Sequence, residues 1–319
     1  MKKLFLPLLA MLLSANMALA QDAEKATSKW THGGNFGINF AQSYFNNWAA
    51  GGQNTVNGLS ILKYSVDFAR DNSKWENDID LQLGYSFYDL DKKPIKTDDK
   101  IFISSLYGYD VIKDKLFITS NLTLQSQFAN GYDYKTDSTN RISGFMSPGY
   151  VTLGVGAQWV PASCLSINFA PVTGKLTVVR DQTIADQGNY GMRPAEYKYN
   201  ADSVLVKVKD GSNVRWELGL QVTANFKYEI FKNVTFSSKL VAFYDYMQKS
   251  SDLNALGEKY GCPFDFDWDN SLILKVNDWL NCNITARLLY DEDIMPTTGK
   301  STFFQFKEVL SVGISYRIP

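Results

Sequence analysis

Residues 214 to 230 read Val-Arg-Trp-Glu-Leu-Gly-Leu-Gln-Val-Thr-Ala-Asn-Phe-Lys-Tyr-Glu-Ile. One parity holds Val214, Trp216, Leu218, Leu220, Val222, Ala224, Phe226, Tyr228 and Ile230, and the other holds Arg215, Glu217, Gly219, Gln221, Thr223, Asn225, Lys227 and Glu229. Successive side chains of a strand point to opposite faces, so an unbroken period of two is a strand with one apolar and one polar face. Its length exceeds the ~5–6 residues usual in soluble sheets and the ~9–11 needed to cross a bilayer at a tilt.

The pattern recurs on either side. Leu116, Ile118, Leu122, Leu124 and Phe128 oppose Thr119, Asn121, Thr123, Gln125 and Gln127, while Leu310, Val312, Ile314, Tyr316 and Ile318 oppose Ser311, Gly313, Ser315 and Arg317. Read throughout, it predicts strands at 30–41, 55–70, 73–89, 100–111, 115–129, 149–161, 164–180, 213–230, 234–248, 264–277, 280–291 and 303–318. Tight links at Asp71-Asn72, Lys113-Asp114, Pro161-Ala162, Lys232-Asn233 and Asn277-Asp278 alternate with long ones at 42–54, 90–99, 130–148, 181–212, 249–263 and 292–302. Short turns on one side and long loops on the other define an all-β fold, a transmembrane antiparallel up-and-down β-barrel of about 12 strands. Pro171 and Gly174 mark a bulge or bend in the seventh strand, because proline cannot donate to a ladder. Glu308 has the lipid-facing parity and is expected above the bilayer. Aromatics such as Trp75, Tyr107, Trp216 and Trp268 lie on the apolar parity as girdle residues would, although strand propensity alone also favours them there.

Residues 1–20 read as a signal peptide: Lys2 and Lys3, an apolar run from Leu4 to Leu13, then Ala18-Leu19-Ala20 as a small-x-small cleavage site. The barrel domain is then 21–319, placed in the outer membrane of a Gram-negative cell and in contact with its lipid. Beyond the leader no run of ~20 apolar residues exists to make a membrane helix. With 32 basic and 33 acidic residues the chain has a formal charge of −1, which gives no electrostatic footprint for nucleic acid.

Phe45-Asn46-Asn47-Trp48-Ala49-Ala50-Gly51-Gly52-Gln53-Asn54, followed by Trp75-Glu76-Asn77, resembles a Bacteroidota outer-membrane family of unknown function, DUF3078. The resemblance implies a barrel in the outer membrane of a Bacteroides-type bacterium and brings no catalytic residues, substrate or cofactor with it. Two readings of the loop stand side by side. In one, Asn47, Trp48, Gly51 and Gly52 form a latch, Trp48 filling the barrel mouth while the glycines reverse the chain; in the other they form a surface turn with an aromatic at the membrane interface.

Catalysis has little to draw on. A serine nucleophile needs a base in hydrogen-bond reach, and the one histidine, His32, has the lipid-facing parity of Trp30 and Phe36. Cys164, Cys262 and Cys282 show neither disulfide nor metal spacing. Asp265, Asp267 and Asp269 alternate on one face, but strand rise spreads them over about 13 Å, so an ion-paired lumen is expected rather than a metal site. No cofactor is expected.

The inward parity collects Lys63, Asp67, Glu76, Asp78, Asp80, Arg215, Glu217, Lys227, Glu229, Lys239 and Arg287, a mixture of both signs. This predicts either a polar channel or gated pore for small polar solutes, or a lumen closed by ion pairs in a structural or binding barrel that partners other envelope proteins in assembly or nutrient uptake. The loop from 181 to 211 is long enough to cover the mouth and to hold a short hairpin near Ser203 to Lys209.

Overall fold

The long strands meet edge to edge and close on themselves. The computed structural model describes residues 30–43, 54–88, 93–134, 137–249, 252, 254–294 and 302–319. Twelve of the described strands form the wall: β1 (Trp30–Ser43), β2 (Thr55–Arg70), β3 (Ser73–Tyr88), β4 (Ile95–Ile112), β5 (Leu116–Ser126), β8 (Gly149–Ala162), β9 (Leu165–Val178), β12 (Val214–Phe231), β13 (Val234–Asp245), β14 (Phe264–Lys275), β15 (Leu280–Tyr290) and β16 (Phe304–Ile318). Each is antiparallel to its neighbours, and the ring runs β1-β16-β15-β14-β13-β12-β9-β8-β5-β4-β3-β2. Closure is made by β1 against β16, from Gly34 opposite Ile318 to Phe40 opposite Val312. A closed ring satisfies every interior backbone group without water, which is what hydrocarbon demands of a sheet.

Two small hairpins belong to the loops: β6 (Gly131–Asp133) with β7 (Asp137–Ser143), and β10 (Glu196–Tyr199) with β11 (Leu205–Lys209). A five-residue helix α1 (Gln182–Asp186) precedes the second hairpin. Thr31–Pro319 is one compact unit. The predicted leader and the Asn47-Trp48-Gly51-Gly52 loop lie outside the described residues.

The distribution of polarity is inverted relative to a soluble protein. Trp216 is 67% exposed, whereas Glu217, Gln221 and Thr223 on the same strand are buried. Along β16, Phe306, Leu310, Val312, Ile314 and Tyr316 are all exposed and Ser311 is buried. An apolar band outside and polar side chains inside is the arrangement of a barrel solvated by lipid. No helix of the described residues is long and apolar enough to cross a membrane. At the short turns Asp71, Asp114 and Asn233 take φ of 52°, 58° and 71°, a left-handed conformation that Asp and Asn tolerate better than other side chains.

The ends of several strands differ from the sequence-based expectation. β4 begins at Ile95 rather than near 100, since Lys96 and Asp98 pair with Tyr85 and Gly84 across a register shift. β5 stops at Ser126 rather than near 129, because Asp99 takes the Phe128 and Ala129 N–H groups at 2.7 and 2.8 Å. β13 and β14 each stop two or three residues early. The bulge expected near Pro171 is present as register shifts between Val155 and Ala157 on one side and between Gly219 and Gln221 on the other. Glu308 faces outward opposite Ala286 in an unshifted ladder, four residues from the long-loop end of β16.

Candidate functional site

The bulge in β9 decides what faces the lumen. Before it, Asn168 and Ala170 are buried and Phe169 is exposed; after it, Thr173 and Thr177 are buried and Val172 is exposed. One inserted residue thus switches the inward parity from even to odd. It brings Lys175 inside, directly opposite Glu217 on β12. A regular strand would have pointed Lys175 at lipid.

Midway along the barrel, charges meet around and across the lumen. Lys100 on β4 reaches Asp80 on β3 at 3.0 Å and Asp269 on β14 at 3.8 Å. In the ring order β4 and β14 are six strands apart, the greatest separation twelve strands allow. The Lys100–Asp269 pair therefore spans the lumen from wall to wall. Lys239 on β13 sits 4.1 Å from the ring centroid of Phe102 on β4, a second crossing of nearly the same reach. Arg287 holds Asp267 through two bonds, at 2.8 and 2.6 Å, in the fork geometry that fixes both partners. Lys307 on β16 meets Asp98 on β4 at 2.5 Å.

Toward the long loops a second cluster forms. Lys175 lies 3.3 Å from Glu217 and 3.4 Å from Asp265, and Arg215 lies 2.5 Å from Asp293 and 3.5 Å from Glu217. Glu217, Asp265 and Asp293 present carboxylate oxygens within 4.8 Å of one another, with these two cations among them. The loop carrying Asp293 is held down by Glu292, which accepts bonds from Asn254, Cys262 N and Tyr290 Oη. Tyr260 donates to Asp293 at 2.5 Å, and burial together with that carboxylate keeps its hydroxyl protonated far above the ordinary tyrosine range. Burial, then the neighbouring Asp265 and Asp293, also raises Asp291 well above the usual carboxylate range.

The loop between β9 and β12 folds on itself beside this cluster. Val179, Ile184, Ala185 and Met192 make a small apolar core, with Tyr190 against it. Gly191 N donates to Asp293 O at 3.2 Å, which joins the two long loops. Asp186 accepts from Lys207 at 2.7 Å and from Gly211 N at 2.8 Å; these bonds hold its carboxyl down at about 2. The loop between β5 and β8 is anchored differently. Lys96 Nζ joins Asp99, Gln127, Ala129 O and Ser143 at once.

Between the two charge clusters lies a cavity of about 530 Å³. Of the eleven charged residues predicted to face inward, Glu76, Asp78, Lys239 and Arg287 line it. Lys63, Asp67 and Asp80 sit on the inward faces of β2 and β3, with Lys63 opposite Asp80 and Asp67 opposite Glu76. Arg215 and Glu217 belong to the loop-side cluster. Lys227 and Glu229 are exposed near the short-turn end of β12, where Glu229 accepts from Asn233 N at 3.3 Å. Sequence reasoning did not single out Lys100, Lys175 or Asp99. Asp265, Asp267 and Asp269, weighed against a metal site, each meet Lys175, Arg287 or Lys100. Among the described residues His32 meets Pro319 O and Tyr64 Oη, both at 3.2 Å. The three cysteines are free.

Fold and lumen together define the class: a membrane-spanning antiparallel β-barrel with a charged, internally paired interior. Within it, residues 40–132 match the model of the family described as Protein of unknown function (DUF3078). None of the curated proteins matches the chain. Among solved structures it is similar to the translocator domain of autotransporter NalP from Neisseria meningitidis, at 9% identity over 96% of this chain and 93% of that one, with a TM-score of 0.38. It is similar also to the beta domain of the Bordetella autotransporter Brka (10% identity, 91% and 100% covered, TM-score 0.33) and to Pseudomonas putida OprB (6%, 91% and 94%, 0.31). The barrel assignment rests on the chain's own register and closure.

Proposed function

We propose that the protein is a gated pore of a Gram-negative outer membrane that admits small polar solutes, exported through its N-terminal leader. The observation that carries this reading is the Lys100–Asp269 contact between opposite walls. A barrel sealed for structural reasons alone would be better filled with apolar side chains, since partly hydrated ion pairs contribute only about 0–1 kcal/mol. Paired charges can part and close again at little cost, which suits a gate. The outward apolar band supports the membrane, and the separation of short turns from long loops supports insertion from the periplasmic side.

Single-channel recording from the refolded mature chain in a planar bilayer tests it. Brief openings are expected in the native protein, and Asp269→Ala should lengthen them. A correctly inserted barrel that stays silent in both forms would overturn the pore.

A second reading, a binding barrel that partners another envelope protein, draws on the β10–β11 hairpin, whose Tyr199, Val204, Leu205 and Val208 are exposed. Retained function of the silent barrel after the hairpin is deleted would count against it.

A further inference from the structure

The composition of the cavity narrows the solute. Of its lining side chains seven are carboxylic, whereas four are cationic: Lys100, Lys175, Lys239 and Arg287. The cations are engaged. Lys100, Lys175 and Arg287 each hold at least one carboxylate, and Lys239 rests on Phe102. Asp78 differs, because among the described residues its hydrogen-bond partner is the Ser65 hydroxyl at 2.6 Å, and the ammonium that acts on it, Lys239, is shared with Asp269 and Asp80 and makes no ion-pair contact with it. Glu76 and Asp99 are held in turn by Lys74 and Lys96, at 2.9 and 3.0 Å, and Asp291 keeps its proton, which leaves Asp78 as the lining carboxylate open to a further cation.

Hydrogen bonding points the same way. Asn121 and Gln158, which line the cavity from the β5–β8 wall, are 9% and 4% exposed. Each has a side-chain oxygen with no donor, and no buried donor of the described residues is left in that state. Buried acceptors without partners are costly and call for a donor. Phe102 and Phe243 already carry ammonium groups on their faces, at 4.1 and 4.9 Å, so the interior accepts alkylammonium ions against its rings.

We infer that the cavity is a binding site for small organic cations rich in N–H donors, such as aliphatic diamines and polyamines. The inference rests on the pore reading for the route by which such a solute arrives, but not for the binding itself. The ammonium ends pair with Asp78 and its neighbours, while the remaining N–H groups face the amide wall. A cavity of about 530 Å³ lies within the ~300–1,000 Å³ range of small-molecule sites.

Isothermal titration of the folded mature chain in detergent, with spermidine, maltose and glutamate as separate probes, tests the inference. Spermidine should bind while maltose and glutamate do not, and Asp78→Asn should weaken spermidine about tenfold, the effect of ~1.4 kcal/mol. Gln158→Leu, which removes an unpaired acceptor without removing charge, should weaken it less. Folding of each variant is checked by its β-rich circular dichroism. Maltose binding as tightly as spermidine, spermidine affinity indifferent to Asp78→Asn, or no spermidine binding at all would each overturn the inference. A chain that conducts but ignores spermidine leaves the pore standing without this site. One that binds spermidine but never conducts leaves the site standing without the pore.

Discussion

Replacing Lys175 by methionine tests the loop-side cluster. The change keeps the volume and removes the charge. Its side chain is 12% exposed and that of its partner Glu217 is 2% exposed, so Glu217 cannot turn to water when the ammonium is gone. Breaking a buried pair from one side costs about 3–5 kcal/mol, because the surviving charge stays buried. Arg215 remains 3.5 Å from Glu217, which places the expected loss near the lower end, about 3 kcal/mol. Asp265 adds to it, as Lys175 is also its ion-pair partner at 3.4 Å. Reversible denaturant unfolding of the barrel in lipid vesicles, followed by tryptophan fluorescence, gives the number. The double variant Lys175→Met with Glu217→Gln should recover at least half of it, since directly paired residues couple by up to about 3 kcal/mol. A single variant within about 0.5 kcal/mol of the native protein, the range of a neutral surface change, would refute the view that the β9 bulge seats a structural cation.

Three other outcomes follow from the same geometry. Asn233 has a φ of 71°, so Asn233→Val should destabilise the barrel by about 1–2 kcal/mol and Asn233→Gly should not, as read in the same unfolding assay. A Cβ on Gly156 would run into the Phe169 backbone at the bulge, and Gly156→Val is expected to lower the yield of folded barrel, seen as loss of the heat-modifiable band on a gel. Asp186 is held at about 2 against an ordinary 3.8. Its contribution to loop docking is present above the ordinary value and is lost as pH falls through the lower one, so protease cleavage between 182 and 211 should rise between about pH 4 and pH 2. Cleavage that is flat over that window would contradict it.

The wall of the barrel was readable because each strand advertises its face. Val214 to Ile230 fixed one strand to within a residue at each end, and the alternation of turn lengths gave the topology. The interior was harder. Lys175 was invisible to parity because the Pro171 bulge reverses it two residues downstream. Lys96 to Asp99 read as loop, since four polar residues in a row break any alternation, yet they pair in β4, with the charges of Lys96 and Asp99 taken up by one another and by the next loop and that of Asp98 by Lys307 on β16. Asp269 announced itself as a carboxylate on an inward face. That its partner would be Lys100, from the opposite wall, depends on strand number and stagger together, and no local pattern carries that. The Asn47-Trp48 loop, the strongest mark of family resemblance, lies outside the described residues.

If the path through the barrel closes where Lys100 meets Asp269, a tether between those two positions should hold it shut. With Cys164, Cys262 and Cys282 changed to serine, Lys100→Cys and Asp269→Cys would be joined by a short cleavable bis-thiol linker while single-channel current is recorded. The untethered protein is expected to open, the linker to silence it, and cleavage of the linker to restore the openings. Conductance that persists unchanged with the two walls tethered would mean that solutes do not pass this point, and the gate would have to be abandoned.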